Sequence, residues 1–485
     1  TMLPSGYIFV FVFLCIYYLL QWRRRPKNFP PGPLGIPLFG IAPFAGVDMH
    51  KYLATYYAKY GGVMSFRLAT KDWIVLNDIE AITQALLKQG ESFSGRPQSY
   101  LMNQLTEGCG IVFSTGPRWQ AQRRFVLTAL KTLGMGKRSM VGIINEENQN
   151  FLSVIQSSGG TRPFIFNSEF RKLLSNIVTN LIMGKRFNYE DEKLQAIVDH
   201  RQMRRENKMK RCPIFPYPTI YHTHLSTQSV YKCLILFIIH IISEITEEHK
   251  NSFDENNLRD FIDIFLLEMK RRNSEYFTEL QLLHLVRDLF VGAIDTTTAT
   301  LGWGIICLLH YPECQVRIQE EIDDVIGYIG CAEPDMSHHE SMPYLRAFIQ
   351  EVHRFQTIAP LNIPHCVTED CVLFGYHIPK STPVMSNIWR VHNDPKYWEN
   401  PEKFSPERHL DSEGRFVPSN RVLSFAVGHR SCLGVQLARV ELFLFYASTL
   451  KKYEFQIDPE YGLPDWSNDR SGTVKTPKKF SVLLK

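Results

Sequence analysis

The stretch FAVGHRSCLG, residues 425–434, organises the sequence around one cysteine in a short loop between two glycines. An apolar segment without proline or glycine, Val435 to Leu450, follows the loop and indicates a helix buried on most sides. Cys432 is therefore expected at a helix N-terminus, where the macrodipole and unpaired N–H groups favour a thiolate over a thiol. Gly428 and Gly434 permit a tight turn and the close approach of a flat ligand.

The other residues of this loop decide between a ligand-binding cysteine and a buried structural one, which is the commonest fate of an isolated cysteine. Arg430 lies two residues from Cys432 and suits a carboxylate on the ligand. The pattern Phe425-x-x-Gly428-x-Arg430-x-Cys432-x-Gly434 resembles the haem-binding signature of the cytochrome P-450 family. The resemblance implies haem b as the cofactor, with the Cys432 thiolate as the axial ligand of the iron.

Length and composition indicate one large globular domain. The chain has 485 residues, a formal net charge of +5 and ten cysteines. No linker, repeat or low-complexity tract follows the first forty residues, so residues 41–485 are predicted to form a single catalytic domain. The mild charge does not argue for nucleic acid as a partner. The absence of C-x-x-C pairs argues against a zinc site or a disulfide framework and fits a reducing compartment.

The N-terminus differs in kind from the rest of the chain. Tyr7 to Leu20 is continuously apolar, and three arginines follow at 23–25. No small-residue cleavage site is present, so residues 1–22 are predicted to be a retained transmembrane anchor rather than a removed signal peptide. Residues 23–40 are predicted to be a basic, proline-rich hinge. Microsomal family members carry a similar anchor and hinge, which implies a single-pass protein of the endoplasmic reticulum membrane with a cytosolic catalytic domain.

A long apolar run from Glu279 to His310 is predicted to form one helix of roughly 48 Å. Thr278 and Gln281 are predicted to form a capping box at its start, and Pro312 is predicted to end it. A helix of this length is sufficient to cross a whole domain.

Asp295 and Thr296, in the middle of this run, are predicted to relay protons to dioxygen. A threonine at this point can bond back to the carbonyl four residues earlier and open the helix locally. The alternative is a buried helix with a threonine-rich face. The family pattern is Ala-Gly-x-(Asp/Glu)-Thr, and the small pair is inverted here to Gly292-Ala293.

Further residues match family positions that bind the haem propionates. Trp119 and Arg123 are four residues apart, so a helix would present both on one face, where together they can hold a carboxylate. An amphipathic surface helix is the alternative interpretation. By resemblance, Arg96 in the long loop Phe93–Phe113 reaches a propionate. His365 also matches a propionate ligand, although a lone histidine is more often structural.

Glu351 and Arg354 form a Glu-x-x-Arg motif on a helix predicted to begin near Tyr344, with both charges on one face. By resemblance, Arg408 joins them in a buried triad, in which two arginines satisfy one glutamate through fork hydrogen bonds. Such a network specifies the fold rather than adding net stability.

Local patterns predict the remaining elements. Helices are expected over Asp48–Tyr60, Phe166–Ile182 and Glu190–Arg201, and hairpins over Gly62–Leu76 and Phe374–Lys380. The resemblance implies the cytochrome P-450 fold, which is mainly α with a small β region (α+β).

The substrate region is predicted to be apolar. A basic run from Arg201 to Arg211 precedes an apolar helix predicted over Val230 to Ile245, and this run can contact anionic lipid or the carboxylate of a fatty acid. A neutral or weakly polar lipophile is expected as substrate, such as a fatty acid, a steroid or a xenobiotic. The predicted pocket lining is Ile111, Phe113, Phe290, Ala293, Leu361, Asn362, Ile363 and Val474.

The motifs span nearly the whole chain in the family order, and residues 259–263, 319–323 and 342–344 resemble the microsomal family-2 branch. The resemblance implies a monooxygenase that inserts one oxygen atom from O2 into its substrate. No dinucleotide-binding pattern is evident, so electrons are expected from NADPH-cytochrome P-450 reductase, with cytochrome b5 in some relatives, docking near Arg123, Arg124 and His429. A haem-thiolate isomerase or dehydratase and a non-catalytic, membrane-anchored haem or lipid binder stay open as alternatives.

Overall fold

The structure is a computed structural model. It describes residues 13, 17, 22, 24–46, 48–98, 103, 106–135, 138–157, 163–199, 225–327, 333–466, 468–469 and 474–485, with the backbone alone at 166–167, 196–197, 199, 225–237 and 468–469. The predicted basic run and all but three residues of the predicted anchor lie outside the described residues.

Helices account for most of the described structure. In chain order they are α1 (Ala42–Ala45), α2 (Met49–Thr55), α3 (Tyr57–Tyr60), α4 (Ile79–Thr83), α5 (Gly116–Thr132), α6 (Arg138–Ser157), α7 (Phe166–Met183), α8 (Glu192–Asp199), α9 (Leu225–Asn251), α10 (Phe261–Arg272), α11 (Glu279–His310), α12 (Pro312–Ile326), α13 (Pro343–Gln356), α14 (Ile388–His392) and α15 (Val435–Lys452). A π-helical segment continues α4, and short 3₁₀ helices lie at Met336–Ser341 and Pro406–His409.

The strands are short and form small sheets. They are β1 (Val63–Leu68), β2 (Lys71–Leu76), β3 (Phe164–Ile165), β4 (His365–Cys366), β5 (Cys371–Leu373), β6 (Tyr376–Ile378), β7 (Pro383–Ser386), β8 (Phe455–Ile457), β9 (Asn468–Asp469), β10 (Thr476–Pro477) and β11 (Ser481–Leu484). Their orders are β1-β2-β7-β4, β3-β11-β8, β5-β6 and β10-β9. The prediction of a mainly helical protein with a small β region is therefore confirmed.

The chain divides into two compact units, and the first comprises residues 1–97, 359–402 and 420–432. Its main sheet includes the predicted hairpin at Gly62–Leu76, in which β1 and β2 pair antiparallel. Strand β7 then joins β2 in parallel, and β4 joins β7 antiparallel. Buried apolar residues of this sheet, including Ile74, Leu76 and Val384, form a core with α4.

Two local predictions for this unit need correction. The helix predicted over Asp48–Tyr60 is divided into α2 and α3, because the Tyr56 N–H bonds to the Leu53 carbonyl three residues back as well as to Ala54. The second hairpin begins earlier than predicted, at Cys371. Its two-residue turn is Phe374-Gly375, with φ of 48° and 81°, so the first two residues of the predicted range form the turn.

The last residue of the predicted anchor and the first part of the predicted hinge contact the β1–β2 hairpin. The Arg67 guanidinium donates to the Trp22 carbonyl and lies over the Trp22 ring, 4.5 Å from its centroid. Arg67 also forms a two-pronged ion pair with Asp72, through Nε at 2.9 Å and Nη2 at 2.5 Å. Arg25 donates to the carbonyls of Gly32 and Pro33 at 3.0 and 3.2 Å. This part of the hinge is therefore held by side chains of the unit.

The second unit comprises residues 98–358, 403–419 and 433–485 and contains the largest core. Polar residues at the helix ends define its elements. Asp260 caps α10 by accepting the Asp263 N–H at 3.0 Å, and Gly184 in the left-handed conformation ends α7. The predicted helices at Phe166–Ile182 and Glu190–Arg201 are confirmed as α7 and the shorter α8.

Helix α11 has the predicted bounds, and Pro312 begins the next helix after it. It is the one described helix with the length and hydropathy of a membrane span, but 72% of its most apolar part is buried, as in a core helix. Thr278 caps it by accepting the Gln281 N–H at 3.2 Å. The second bond of the predicted capping box, from the Thr278 N–H to the Gln281 side chain, is wrong. The Gln281 side chain instead donates to the Gly110 carbonyl at 3.1 Å and accepts the Gly110 N–H at 3.3 Å.

Candidate functional site

The loop that holds Cys432, in the first unit, is fixed by its own main chain. The Cys432 N–H donates to the Phe425 carbonyl at 2.9 Å, and the Ser431 N–H donates to the Gly428 carbonyl at 3.0 Å. Gly428 has φ +80°, and a Cβ there would lie 1.7 Å from the Leu86 carbonyl oxygen, so this position requires glycine. Cys432 is exposed, which leaves it accessible to a ligand.

Gly434, in the second unit, does not need to be glycine for the turn. Its φ of −90° is open to any residue, so the turn at this position does not depend on glycine. A Cβ at Gly434 would meet no atom within 4 Å, which agrees with the predicted room for a flat ligand. Helix α15 begins at Val435, three residues beyond Cys432, and is buried along most of its length, as predicted.

Three predicted propionate ligands of the first unit form one buried group. Arg96 Nη1 donates to the carbonyls of Ile363 and Pro364 at 3.0 and 2.9 Å, and Arg430 Nε donates to the Ser94 carbonyl at 2.7 Å. His365 Nδ1 donates to the Phe93 carbonyl at 2.8 Å. Burial, followed by the charges of Arg96 and Arg430, lowers the pKa of His365 to about 3. The group therefore has a positive potential that favours an anion.

Trp119 and Arg123 lie on α5 of the second unit. Trp119 is buried and Arg123 is half-buried one turn later, so the two share the predicted helix face. Arg124, the next residue, is exposed.

Helix α11 is accessible at its middle, where the relay residues were predicted. Val291 is 39% exposed and Gly292 is exposed, whereas residues 297–309 are buried. A Cβ at Gly292 would meet no atom within 4 Å. The Thr296 hydroxyl donates to the Gly292 carbonyl at 2.6 Å, as predicted. The expected local opening is not present, because the helix continues through this turn without interruption.

Asp295 is buried in an ion pair that the sequence did not reveal. Arg171 Nη2, on α7, donates to Asp295 Oδ1, and the side chains are 8% and 9% exposed, respectively. The acid of the predicted relay is thus held by a cation from another helix of the same unit.

The predicted triad is present in the second unit, with an additional member. Glu351 accepts hydrogen bonds from Arg354 at 2.7 and 2.8 Å and from Arg408 Nε at 3.0 Å. His409 Nε2 lies 3.0 Å from the second carboxylate oxygen, and Gln350 Nε2 lies 2.8 Å from His409 Nδ1. Because the Gln350 carbonyl accepts the Ser419 N–H, its amide nitrogen faces His409, which therefore donates through Nε2 to Glu351.

Two side chains of α11 fix the loop that carries Ile111 and Phe113. Asp288 Oδ2 accepts the N–H groups of Ile111 and Val112 at 2.8 and 3.0 Å, and Gln281 binds Gly110 two turns earlier.

The predicted pocket residues of this unit differ in exposure: Ile111 and Phe290 are buried, and Phe113, Ala293 and Val474 are half-buried.

The pocket residues predicted at 361–363 belong to the first unit and are half-buried. Asn362 has φ +57°, and its Oδ1 accepts the Ile363 N–H at 2.7 Å. Its Nδ2 is buried and makes no hydrogen bond to the described residues. This amide is therefore available to an acceptor on a ligand.

Another cluster of titratable groups can be assigned to structure rather than to metal binding. His249, Asp260 and Asp263 are buried and close enough to share an ion. However, His249 Nε2 bonds to Asp260 at 2.6 Å, and Asp263 accepts from Arg259 at 2.6 and 2.9 Å. The ligand atoms already have partners, which makes this cluster a link between α9 and α10.

Comparison with known proteins identifies the family. The chain matches the cytochrome P450 family model over residues 30–484. The chain belongs to the cytochrome P450 family. It is 35% identical to human cytochrome P450 2J2 over 448 residues, which cover 90% of this chain and 87% of the relative. It is 32% identical to human cytochrome P450 2U1 (99% and 94% covered) and 34% identical to rabbit, Oryctolagus cuniculus, cytochrome P450 2C16 (96% and 96% covered). The resemblance to family 2 is confirmed.

Membership of the cytochrome P450 family implies haem as the cofactor and haem-thiolate monooxygenase activity, that is, an oxidoreductase. The residues of this P450 fit that cofactor. The first unit offers an exposed thiol, Cys432, and a buried cationic group suited to carboxylates. The second unit leaves open space against the main chain at Gly292 and Gly434.

Several contacts that organise the site of this P450 were not predicted from the sequence. Arg171, His409, Gln281 and Asp288 act through contacts with distant segments, which no local pattern encodes. One signal was nevertheless present: Arg287 and Asp288 interrupt an otherwise apolar helix, and buried charges need partners.

Proposed function

We propose that this P450 is a membrane-anchored monooxygenase that inserts one oxygen atom into a lipophilic substrate with electrons from NADPH. The overall change is RH + O2 + NADPH + H⁺ → ROH + H2O + NADP⁺. One observation carries the proposal: Thr296 and Asp295 are both present at the accessible middle of α11, beside the open space at Gly292. An isomerase or dehydratase has no need for such a proton-delivering pair.

The proposed roles follow from the contacts. When bound, the haem supplies the redox chemistry that activates O2. The Cys432 thiolate would bind its iron, and the buried group Arg96, Arg430 and His365 would hold its carboxylates, with Trp119 and Arg123 in the same role from the second unit. The Thr296 hydroxyl donates one proton at a time, and Asp295 replaces it.

The test of this proposal uses two variants and one control. Cys432→Ala should lose haem or the thiolate-type spectrum of the reduced CO complex, whereas Cys366→Ala should retain both. Thr296→Ala should retain the spectrum but form less product per NADPH and more peroxide. An unchanged spectrum in Cys432→Ala, or full coupling in Thr296→Ala, contradicts the respective role.

The proposed substrate is a lipophile with one hydrogen-bond acceptor. The predicted lining is apolar apart from Asn362, whose buried Nδ2 has no partner among the described residues. An apolar wall rewards buried apolar area at about 25 cal/mol per Å², and one amide can orient a carbonyl or a carboxylate. A long-chain fatty acid offers the required apolar area, and its carboxylate is proposed to lie at the basic run Arg201–Arg211 rather than at Asn362.

This substrate proposal is tested by comparing linoleate with its methyl ester. Turnover of the acid should exceed that of the ester, and the change of Arg204 and Arg205 to Ala should remove the difference. Equal turnover of acid and ester in both proteins would eliminate the basic run from substrate choice. A spectral binding screen against steroids and xenobiotics then identifies the alternative.

We also propose that residues 1–22 anchor the protein in the endoplasmic reticulum membrane. NADPH-cytochrome P450 reductase, with cytochrome b5 as a further donor, is proposed to supply the electrons, and Arg123 and Arg124 of the second unit and His429 of the first are each proposed to contact these partners. Arg124 and His429 are exposed, and basic side chains suit acidic partners. A glycosylation acceptor fused to the C-terminus should stay unmodified in microsomes, and its modification would show the reverse topology. Arg124→Glu should slow reduction by the reductase while dithionite reduction stays unchanged.

A further inference from the structure

Lys475 lies immediately before β10 in the second unit, next to Val474 of the predicted pocket lining, and its main chain is bound to α11. The Lys475 carbonyl accepts the indole N–H of Trp303 at 2.8 Å. The Lys475 ammonium lies over the Trp303 ring, 5.1 Å from the centroid. Trp303 is fully buried, so this hydrogen bond satisfies the one polar atom of a large core side chain.

The side chain of Lys475 also caps the C-terminal end of α13, whose last residue is Gln356. Lys475 Nζ donates to the Gln356 side-chain oxygen at 2.8 Å and to the Gln356 carbonyl at 3.4 Å. The Lys475 N–H donates to the Ile358 carbonyl at 2.7 Å. Carbonyls in the last turn of a helix have no partner within the helix, and a cation suits the negative end of its dipole. Helix α13 therefore receives its cap from a residue 119 positions away along the chain.

Residues of the predicted pocket lining flank these contacts along the chain. Val474 directly precedes Lys475, and Leu361 follows Ile358 by three residues. Helix α11, which holds the Lys475 carbonyl, carries two further residues of the predicted lining. Because Val474 and Lys475 share a peptide bond, a change in the position of Lys475 must also change the position of Val474.

We infer that Lys475 is a positioning residue for substrate selectivity: it fixes Val474 relative to α11 and α13 and so determines which carbon atom of a bound lipophile is oxidised. The inference rests on the proposed function and deepens it. Lys475 does not contact the substrate in this role, because its ammonium is held by Gln356 and the Trp303 ring. A displacement of about 1 Å that originates far from the reacting atoms can change a rate by a factor of about 100.

Two other roles for Lys475 would give different results. If Lys475 is only a structural cap, its removal lowers stability and leaves the ratio of oxidation products unchanged. If Lys475 receives the carboxylate of a fatty acid, its removal lowers turnover of the acid and leaves turnover of the ester unchanged. A positioning role changes the ratio of oxidation products for acid and ester alike.

The experiment compares Lys475→Met, Lys475→Arg and Lys479→Met with the wild type, with reductase and either linoleate or methyl linoleate. Lys479→Met is the matched control, because Lys479 is exposed on the same segment. Lys475→Met should change the ratio of oxidation products by roughly threefold or more, the effect of one hydrogen bond. Lys475→Arg should restore most of the wild-type ratio, and Lys479→Met should match the wild type. The wild-type ratio in Lys475→Met would overturn the inference.

Unfolding of the same protein tests the cap without turnover. Lys475→Met and Gln356→Leu remove the same hydrogen bond, so their effects on the unfolding midpoint should be less than additive in the double variant. Additive effects would show that the ammonium is not bound to Gln356 and would overturn the inference. If Lys475→Met does not fold, Gln356→Leu takes its place in the measurement of product ratios, with the same expected change and the same contradicting result.

Two azoles separate failure of this inference from failure of the proposed function. Imidazole and clotrimazole both bind haem iron through a nitrogen atom, but only clotrimazole is large enough to contact the pocket walls. Lys475→Met should change the spectral dissociation constant of clotrimazole by roughly threefold or more and leave that of imidazole unchanged. If the wild type forms no product from either lipid, the proposed substrate is wrong, and the azoles still decide the role of Lys475. Wild-type constants for both azoles in Lys475→Met would then overturn the inference.

Discussion

The Thr297 hydroxyl on α11 donates to Glu441 Oε2 on α15 at 3.2 Å, deep inside the second unit. Glu441 is 2% exposed, and its other oxygen makes no hydrogen bond to the described residues. Burial raises the pKa of Glu441 to about 8, against the smaller opposing effect of the Thr297 hydrogen bond. One neutral carboxyl group thus joins the relay helix to the helix that follows Cys432.

Glu441 makes stability depend on pH in a defined direction. Because its folded pKa is raised, the folded state holds this proton more tightly, and stability is full below about pH 4.5 and is lost as pH rises toward 8. The shift corresponds to at most roughly 5 kcal/mol. We expect Glu441→Gln to unfold at a higher temperature than the wild type at pH 8 and at the same temperature at pH 4.5, by circular dichroism. Glu320→Gln, at an exposed site, should unfold at the wild-type temperature at both pH values. If the difference in unfolding temperature between Glu441→Gln and the wild type is the same at pH 8 and at pH 4.5, the prediction is contradicted.

Gly428→Ala should prevent haem incorporation. The substitution combines φ +80° with a Cβ 1.7 Å from the Leu86 carbonyl, so the main chain must move. Gly414→Ala is the control, because Gly414 has φ +76° but open space around it and should lose only about 1 kcal/mol. Haem content per protein measures the outcome, and equal content in the two variants would show that the contact with Leu86 is unimportant.

Removing one partner of Glu351 should destabilise the protein more than removing Glu351 together with that partner. Arg354→Leu leaves a fully buried carboxylate short of a partner and is expected to destabilise the protein by about 3–5 kcal/mol. Adding Glu351→Leu should recover part of this loss, as measured by denaturant unfolding. Arg415→Leu, which breaks an exposed pair with Asp411, should lower stability far less than Arg354→Leu. A double variant less stable than Arg354→Leu would refute this account.

Asp288→Ala should loosen the loop around Ile111 without removing haem. The substitution deletes the acceptor of two main-chain N–H groups, at 2.8 and 3.0 Å. We expect faster chymotrypsin cleavage after Phe113 and weaker spectral binding of linoleate, whereas Asp324→Ala at an exposed site should match the wild type. Unchanged cleavage would mean that Gln281 alone holds the loop.

The sequence predicted elements whose cause is local. The bounds of α11 follow from its cap, its apolar composition and Pro312, and the β1–β2 hairpin follows from alternation and a two-residue turn. The Thr296 bond to the Gly292 carbonyl follows from a spacing of four residues. Each of these depends on neighbours that the sequence places next to one another.

What the sequence did not predict depends on which segments meet in space. Gln281 was expected to return to Thr278, but the fold offers it both hydrogen-bonding groups of Gly110, and this pairing uses both the oxygen and the nitrogen of its amide. Arg171 and Asp295 are 124 residues apart, and neither shows its partner in the local pattern. Resemblance supplied Arg408 for the Glu351 network but not His409, because the family motif does not specify a hydrogen-bonding residue there.

The contact between the Arg67 guanidinium and Trp22 determines where the N-terminus of this protein should be truncated for purification. A truncation before Trp22 removes the apolar segment Tyr7–Leu20 and keeps the Trp22 ring that packs against the Arg67 guanidinium. A truncation after Arg25 looks equally harmless in the sequence, yet it removes the Trp22 carbonyl and ring that contact Arg67. It also removes Arg25, whose guanidinium bonds to the carbonyls of Gly32 and Pro33 in the proline-rich stretch. The shorter product would expose the Arg67 side chain, which is 5% exposed in the structure, so the longer form is expected to be the more stable of the two in concentrated solution.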